Sequence, residues 1–449
     1  MGRKPHSRTL SIWSNGLRVG TWRLQGQGAM ELQYDEHWMQ SPAGRPLSLS
    51  LPFGFDNSPL KGPRVRNFFE NLLPDSEQIR RRLATRFRTE SLEAFDLLEA
   101  IGRDCVGAVQ LLREDAVPEG FDRIEGTPLT PDEVAWKLTR AVAANGPGRA
   151  QDDDEDDLRI SLAGAQEKTA FLLHEGQWMV PHGATPTTHI FKLPLGLVGA
   201  KKADLTTSVE NEWLCLQLLR AFGLPVPDSE ILTFGDQKVL SVSRFDRRLH
   251  PSGNWIIRLP QEDFCQVLGN PPHLKYEVDG GPGMVDIAGY LRQSVRAEHD
   301  LETFLTAQIL FWMLAAPDGH AKNFSIHLLP GGRFELTPLY DVMSIWPIEG
   351  NGGNQWSWFK AKMAMAVAGR NRHYLMKDIQ RAHFNAMAAR CYYGPDAEPI
   401  ITRLIDETPK AVEKVSSLLP DGFPARVSDR IFKRLQNSAD RLEAMPTGL

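Results

Sequence analysis

Apolar and polar positions alternate with a period of two near the start of the chain, and follow a helical period of about 3.6 over much of its last hundred residues. Residues 9–53 hold short alternating runs such as Leu10-Ser11-Ile12-Trp13 and Leu47-Ser48-Leu49-Ser50-Leu51, broken by Asn15-Gly16, Gly26 and Pro52. A small β-rich unit is expected there. Over 67–87 the apolar positions Phe68, Leu72, Ile79 and Leu83 predict one helix, with Arg80, Arg81 and Arg82 on a solvated face. A nucleic-acid patch is the other reading of that triplet. A helix over 91–101 then leads through Gly102 into a strand over 107–112.

The pattern turns polar between Pro118 and Asp157, where Pro131-Asp132-Glu133 opens a short helix and Gly146-Pro147-Gly148 ends it. Asp152 to Asp157 are six acidic residues in succession, whose mutual repulsion favours a linker over a metal cage. A strand over 188–193 carries Lys192 among apolar neighbours. The helix predicted over 206–222 places Glu210, Gln217 and Arg220 on a polar side and turns Glu212 inward beside Val209, Leu216 and Leu219. A strand over 239–242 runs into Ser243-Arg244-Phe245-Asp246-Arg247-Arg248 and reads as a hinge between two lobes. Past Asp341 the pattern is mostly helical, with Met363 and Met365 in an apolar helical run as core filling. The last helix, over 427–442, carries Arg430, Lys433, Arg434 and Arg441, a solvated face or else a DNA or partner contact.

Composition narrows the class. With 449 residues, 42% hydrophobic and 24% charged, the chain is an ordinary globular protein of two or three domains. A net charge of −5 excludes a wholly basic nucleic-acid surface, so any DNA contact is local or shared with a partner. Cys105, Cys215, Cys265 and Cys391 form no C-x-x-C pair, which predicts buried reduced thiols. The opening residues lack the apolar core of a signal peptide and no apolar run is long enough to span a bilayer, so a cytoplasmic protein without membrane contact is expected.

Candidate chemistry gathers at residues 317–341, PDGHAKNFSIHLLPGGRFELTPLYD. A polar loop follows the apolar run 304–316 and precedes two β-like runs about Pro330-Gly331-Gly332. Antiparallel pairing of those runs brings Asn323 within reach of Leu339 to Asp341. A carboxylate at Asp318 can take a proton from a hydroxyl. The amide oxygen of Asn323 and the carboxylate of Asp341 can hold Mg²⁺, which prefers oxygen ligands. The spacing of five from Asp to Asn is that of a protein-kinase catalytic loop. A solvated loop with ordinary turn residues is the alternative. Upstream, Ala163-Gly164-Ala165 in SLAGAQEKTAFLL forms a small-residue loop that phosphates could approach as under a lid, with an ordinary hairpin turn as the competing reading. It is not a Walker A loop, because Glu167 stands where the glycine before Lys168-Thr169 is required. Lys192 paired with Glu212 is the arrangement by which kinases orient the α- and β-phosphates; two snorkelling side chains are the other reading. Phe245 at the hinge could lie against an adenine ring.

The segments SLAGAQEKTAFLL, TTHIFKLP, VENEWLCLQLL, SRFDRR, LPQEDFCQVLG, KYEVDGGPG, DGHAKNFS and LTPLYD together resemble the HipA family, the serine/threonine kinase toxins of bacterial toxin–antitoxin modules. LSLSLP, NFFENLLPDS and IGRDCVGAV extend the resemblance through the N-terminal third. It implies an α+β, bilobal protein-kinase-like fold: a β-rich unit over 1–125, a kinase N-lobe with lid, lysine strand and hinge over 126–246, and a helical C-lobe over 247–449. It also implies ATP and Mg²⁺, with Asp318 as catalytic base, Asn323 and Asp341 as metal ligands, and Lys192 on the ATP phosphates. Ala163, Gly164, Ala165 and Gln166 would form the phosphate lid, Ser243 and Phe245 the adenine hinge, while Gln261, His320 and Tyr340 would lie near the nucleotide. Ser161, which opens the lid segment, is the implied autophosphorylation site. A helix-turn-helix antitoxin like HipB, operator DNA through that antitoxin, and a translation protein such as glutamyl-tRNA synthetase are the implied partners. The chain lacks G-x-G-x-x-G, H-R-D and D-F-G, as the family itself does, and no catalytic residue of the family pattern is missing. An active kinase is therefore expected, with a nucleotide-binding corepressor as the alternative.

Overall fold

A computed structural model describes residues 7–142, 160–162, 166, 168–199 and 202–448. The acidic run 152–157 and the lid residues Ala163, Gly164 and Ala165, with Glu167, lie outside the described residues. The N-terminal alternation does form a sheet. Its five strands run in the order Leu60–Lys61, Met30–Tyr34, Leu17–Leu24, Arg8–Ser14, Gln110–Arg113. The helices Pro63–Glu70 and Ala94–Ile101 cover one face, where Trp22 stacks on Phe69 with ring centroids 3.8 Å apart.

A second sheet has six strands in the order Ser229–Phe234, Gln237–Ser243, His189–Lys192, Lys168–His174, Gln177–Pro181, Gly126–Pro128. Its own small core of Phe171, Phe191, Val239 and Phe234 packs under the helix Pro131–Val142. The helix Ser208–Ala221 lies against the same sheet and is buried from Ser208 to Leu219. It shares one continuous core with the helices Met284–Leu291, Ala297–Met313, Glu398–Ser416 and Ala425–Ala444. A kinase-like α+β architecture results, two β-rich units above a helical lobe.

Several local expectations change. The single helix over 67–87 is two, Pro63–Glu70 and Glu77–Phe87, because Pro74 lacks a donor and the Asn71 amide turns back to Asn67 O and across to Asn270 O. Arg80 is not solvated: it bonds Glu70 at 2.7 Å and Pro74 O, while Arg81 pairs with Glu77. Residues 47–51 alternate yet form a turn, whose buried Ser48 and Ser50 hydroxyls donate to Gln266 O. Glu210, expected on a polar face, is buried and paired with Lys238 at 2.7 Å. Met363 and Met365 are buried as expected, but in a strand, Lys362–Ala368, paired with Arg372–Leu375. That strand is covered on both faces, so no alternation betrays it. On the last helix Arg430 donates to Pro347 O, Arg434 pairs with Glu349 and Arg441 donates to Lys377 O, so three of the four cations singled out there hold the lobe together. All four cysteines are buried and free. Among the described residues no helix is long and apolar enough to cross a membrane.

Candidate active site

The apolar helix Ala297–Met313 delivers the polar loop to the edge of the core. Gly319 is needed there: a Cβ on it would lie 2.6 Å from Phe311 Cδ2. The loop is pinned by His320 N–H to Asp318 O at 2.8 Å and Asn323 N–H to His320 O at 2.9 Å, and closes with a 3₁₀ turn over Ala321–Asn323. Strand Ser325–Leu328 then pairs with Phe334–Leu336, Ile326 opposite Leu336, with Gln261–Asp263 added on the other side. Continued past the strands, that register places Leu339 opposite Asn323, and two residues on Asp341 O accepts from Asn323 Nδ2 at 3.2 Å. Asp341 itself adopts a left-handed φ of 61°, which turns its carboxylate back into the cleft.

Lys192 reaches the same carboxylate from the sheet. Its Nζ lies 2.6 Å from Glu212 Oε1 and 2.9 Å from Asp341 Oδ1, so strand, helix and loop meet at one ammonium. Burial alone would raise the Asp341 carboxyl, but Lys192 and Lys168 hold it well below the usual carboxylate range. Burial opposes the charge on Lys192, and Asp341 and Glu212 more than offset it, raising that ammonium above its ordinary value. Lys168 is opposite Lys192 in the neighbouring strand. It lines the cleft although sequence reading treated it only as the end of a failed Walker pattern.

At the other end Asp318 accepts a hydrogen bond from Tyr276 Oη at 2.5 Å, and its second oxygen is 4.0 Å from His320 Nε2. Burial raises the Asp318 carboxyl, the Tyr276 hydroxyl lowers it and the Asp341 charge raises it, with a net upward shift. A base needs that basicity. Burial, helped by Lys275, pulls His320 down to about 3, so its ring is neutral at pH 7.

The cleft joining these groups encloses about 700 Å³. Towards the hinge it is walled by Phe245, which packs on Tyr340 with ring centroids 5.6 Å apart, and by Gln261 and Gln266. Tyr340 Oη donates to Lys322 O at 2.8 Å. Ser243 borders the same space, but its N–H is given to Asp228 O at 2.8 Å, which leaves any adenine donor to another residue. Gln166 lines the opposite rim and donates to Leu193 O. Ser161 is buried with its hydroxyl on Leu72 O at 2.6 Å.

Four buried polar atoms of residues lining the cleft have no hydrogen-bond partner among the described residues: Asn323 Oδ1, Gln261 Oε1, His320 Nδ1 and Asp75 Oδ1, the last 3.5 Å from Lys322 Nζ. An amide oxygen stranded beside an ionised Asp341 is a donor set that fits a hard divalent cation. Asn323 and Asp341 would hold it.

Sequence reading missed the contribution of the N-terminal unit. Lys322, inside the same polar loop, donates to Asn71 Oδ1 at 2.8 Å and lies 3.5 Å from both Asp75 and Asp263. Lys275 pairs with Asp75 at 2.8 Å. Lys322 lies in a polar loop, so nothing in its local sequence signalled that it is buried against a carboxylate of the N-terminal unit.

Comparison with known proteins points to one family. A family model described as HipA-like C-terminal domain matches residues 160–414, and one described as HipA N-terminal domain matches residues 10–112. A putative kinase of Sinorhizobium fredii, Y4mE, is 33% identical over 414 residues, 91% of this chain and 92% of that one. A serine/threonine-protein kinase toxin HipA of Shewanella oneidensis is 28% identical, over 80% of this chain and 78% of its own. The chain superposes on a solved structure of the Shewanella oneidensis HipA, HipB and operator DNA complex with a TM-score of 0.77 at 23% identity, covering 97% of each chain. With both halves matched and the fold shared over nearly the whole length, the chain belongs to the HipA family of protein kinases.

Proposed function

We propose that this chain is an ATP- and Mg²⁺-dependent serine/threonine kinase and the toxin of a toxin–antitoxin module, acting in the cytoplasm. The observation that carries this reading is the convergence of Lys192, Asp341, Asn323 and Asp318 in one cleft, from elements as far apart as 149 positions. Asp318 takes the proton of an acceptor hydroxyl as oxygen attacks the γ-phosphorus and ADP leaves. Lys192, fixed by Glu212, orients the ATP phosphates, and Phe245 and Tyr340 wall the base. Mg²⁺ held by Asn323 and Asp341 supplies neutralisation of phosphate charge.

Self-phosphorylation is assigned to Ser161. A dianion there would conflict with the buried carbonyl of Leu72 that the hydroxyl now meets, so modification disfavours this arrangement of the strand Ile160–Ser161. The external substrate is a translation protein, with an aminoacyl-tRNA synthetase such as glutamyl-tRNA synthetase as the reading, and growth arrest or persistence as the outcome. A HipB-like antitoxin, and operator DNA through it, are the proposed partners, in keeping with the composition of the complex that shares this fold.

Incubation with γ-labelled ATP and Mg²⁺ tests the assignment. Wild type takes up label, and Asp318→Ala loses about 10²–10⁴-fold in rate. Ser161→Ala abolishes self-labelling while labelling of another protein continues. Equal labelling of wild type and Asp318→Ala removes Asp318 as the base.

A further inference from the structure

Six lysines border the cleft; Lys360 and Lys362 are exposed, and the other four are not equivalent. Lys192 is held between Glu212 and Asp341, with Lys168 alongside it in the next strand. Lys322 is buried and fastened to Asn71, with Asp75 and Asp263 nearby. Lys275 stands at the other end. Its ammonium bonds Asp75 Oδ2 at 2.8 Å and lies 5.5 Å from the centroid of the Tyr276 ring, whose hydroxyl bonds Asp318. It lines the same cleft as Asp318 and Asn323. An ammonium has three donors, and one carboxylate oxygen occupies one of them.

Phosphoryl transfer spreads negative charge over the oxygens of the group in transit, between the leaving ADP and the oxygen attacking under the base. Lys192 cannot serve there, since it is committed beside Asp341 and Glu212, at the metal-ligand end. Lys322 is enclosed by the N-terminal unit. We propose that Lys275 is a catalytic residue whose ammonium meets the phosphoryl group in transit at Asp318, and that Asp75, from the N-terminal unit, is the positioning residue that holds it there. The inference rests on the kinase reading and adds a cation to it. In the step, the bond from acceptor oxygen to γ-phosphorus forms and the bond from γ-phosphorus to the bridging oxygen breaks. The electron pair leaves with ADP, and the acceptor proton goes to Asp318. Lys275 gives and takes no proton; it only stabilises charge. Asp75 also lies beside Lys322, and Leu72 O holds Ser161, so residues 71–75 of the N-terminal unit brace the catalytic loop and the lid-opening serine together. The N-terminal unit is thereby part of the kinase site.

The full chain is assayed with γ-labelled ATP for maximal self-labelling rate and with a fluorescent ATP analogue for affinity. Lys275→Met, and Lys275→Gln, which keeps a neutral donor to Asp75, each lower the maximal rate about 10²–10³-fold with analogue affinity within about twofold of wild type. Lys275→Arg recovers most of the rate, and Asp75→Asn lowers the rate without lowering affinity. A wild-type rate in Lys275→Gln, or equal loss in Lys275→Gln and Lys275→Arg as a mere clamp between units would give, overturns the proposal. If wild type itself takes up no label, the kinase reading falls and this one with it; if wild type labels and Lys275→Gln labels equally, this one falls alone.

Discussion

Two clusters of buried charge lie one on each side of the hinge, and they differ in how completely their atoms are satisfied. Beneath the hinge, Asp104 accepts from Thr187 N–H and Oγ1, Arg244, Arg247 and Arg258, at 2.7–3.2 Å. Asp246 takes Arg244 through both its oxygens and the Gly107 N–H at 2.7 Å. Only Arg247 Nε lacks a partner among these side chains. In the cleft, by contrast, Asn323 Oδ1, Gln261 Oε1 and His320 Nδ1 are all left open. The open atoms are themselves buried, like those of the saturated cluster, although Asp318 and Asp341 reach solvent through the cleft. A saturated cluster joins the N-terminal unit, hinge and lobe; an unsaturated one is shaped for groups the chain does not supply.

Disrupting the saturated cluster should have the larger effect on stability. Asp104→Ala leaves three guanidinium groups buried around an empty site, and should cost about 3–5 kcal/mol in denaturant unfolding. Burial alone would raise the Asp104 carboxyl, but Arg244, Arg258 and Arg247 hold it below the usual range. A depressed carboxylate stabilises the fold above its unfolded pKa of about 3.9, and that share is lost as pH falls through the folded value. Wild type should therefore lose stability in acid more steeply than Asp104→Ala. Parallel titrations would contradict the cluster's role.

In the unsaturated cluster, substitutions should move function and leave the fold alone. Asn323→Ala removes an unpartnered acceptor together with one hydrogen bond to Asp341 O, so its unfolding free energy should stay within about 1.5 kcal/mol of wild type. The Mg²⁺ concentration for half-maximal labelling should rise at least about tenfold, since even groups behind a metal ligand typically cost that much. An unchanged Mg²⁺ requirement would remove Asn323 from the metal. Tyr276→Phe should act most gently. It deletes a hydrogen bond that lowers Asp318, so the acid limb of the pH–rate profile, which reports ionisation of the base, should move upward by less than about one unit. A downward move would contradict the environment assigned to Asp318.

Legibility in the sequence followed sequence distance. The hairpin register that brings Asn323 within reach of Asp341 could be read because both runs and their turn lie within 25 residues. Lys192 and Glu212 were legible because each is a charge forced inward by an apolar pattern, and two such charges twenty positions apart have an evident answer in each other. Asp104 with Arg258 carried no comparable sign, being 154 positions apart in segments that read as ordinary turns and strands. The strand Lys362–Ala368 was hidden for another reason: a strand buried on both faces and a buried helix present the same unbroken apolar run.

The sequence by itself determined the candidate groups: a carboxylate, an amide five residues on, a second carboxylate across a hairpin, and an inward lysine with its glutamate. These depend on local spacing and on the solvation cost of charge, both of which act within a segment. Tertiary structure alone decided which charges are saturated and which are left open. It also gave Asp75 of the N-terminal unit to Lys275 across 200 positions. Whether a buried polar atom finds a partner depends on which distant segment packs against it, and no local pattern encodes that.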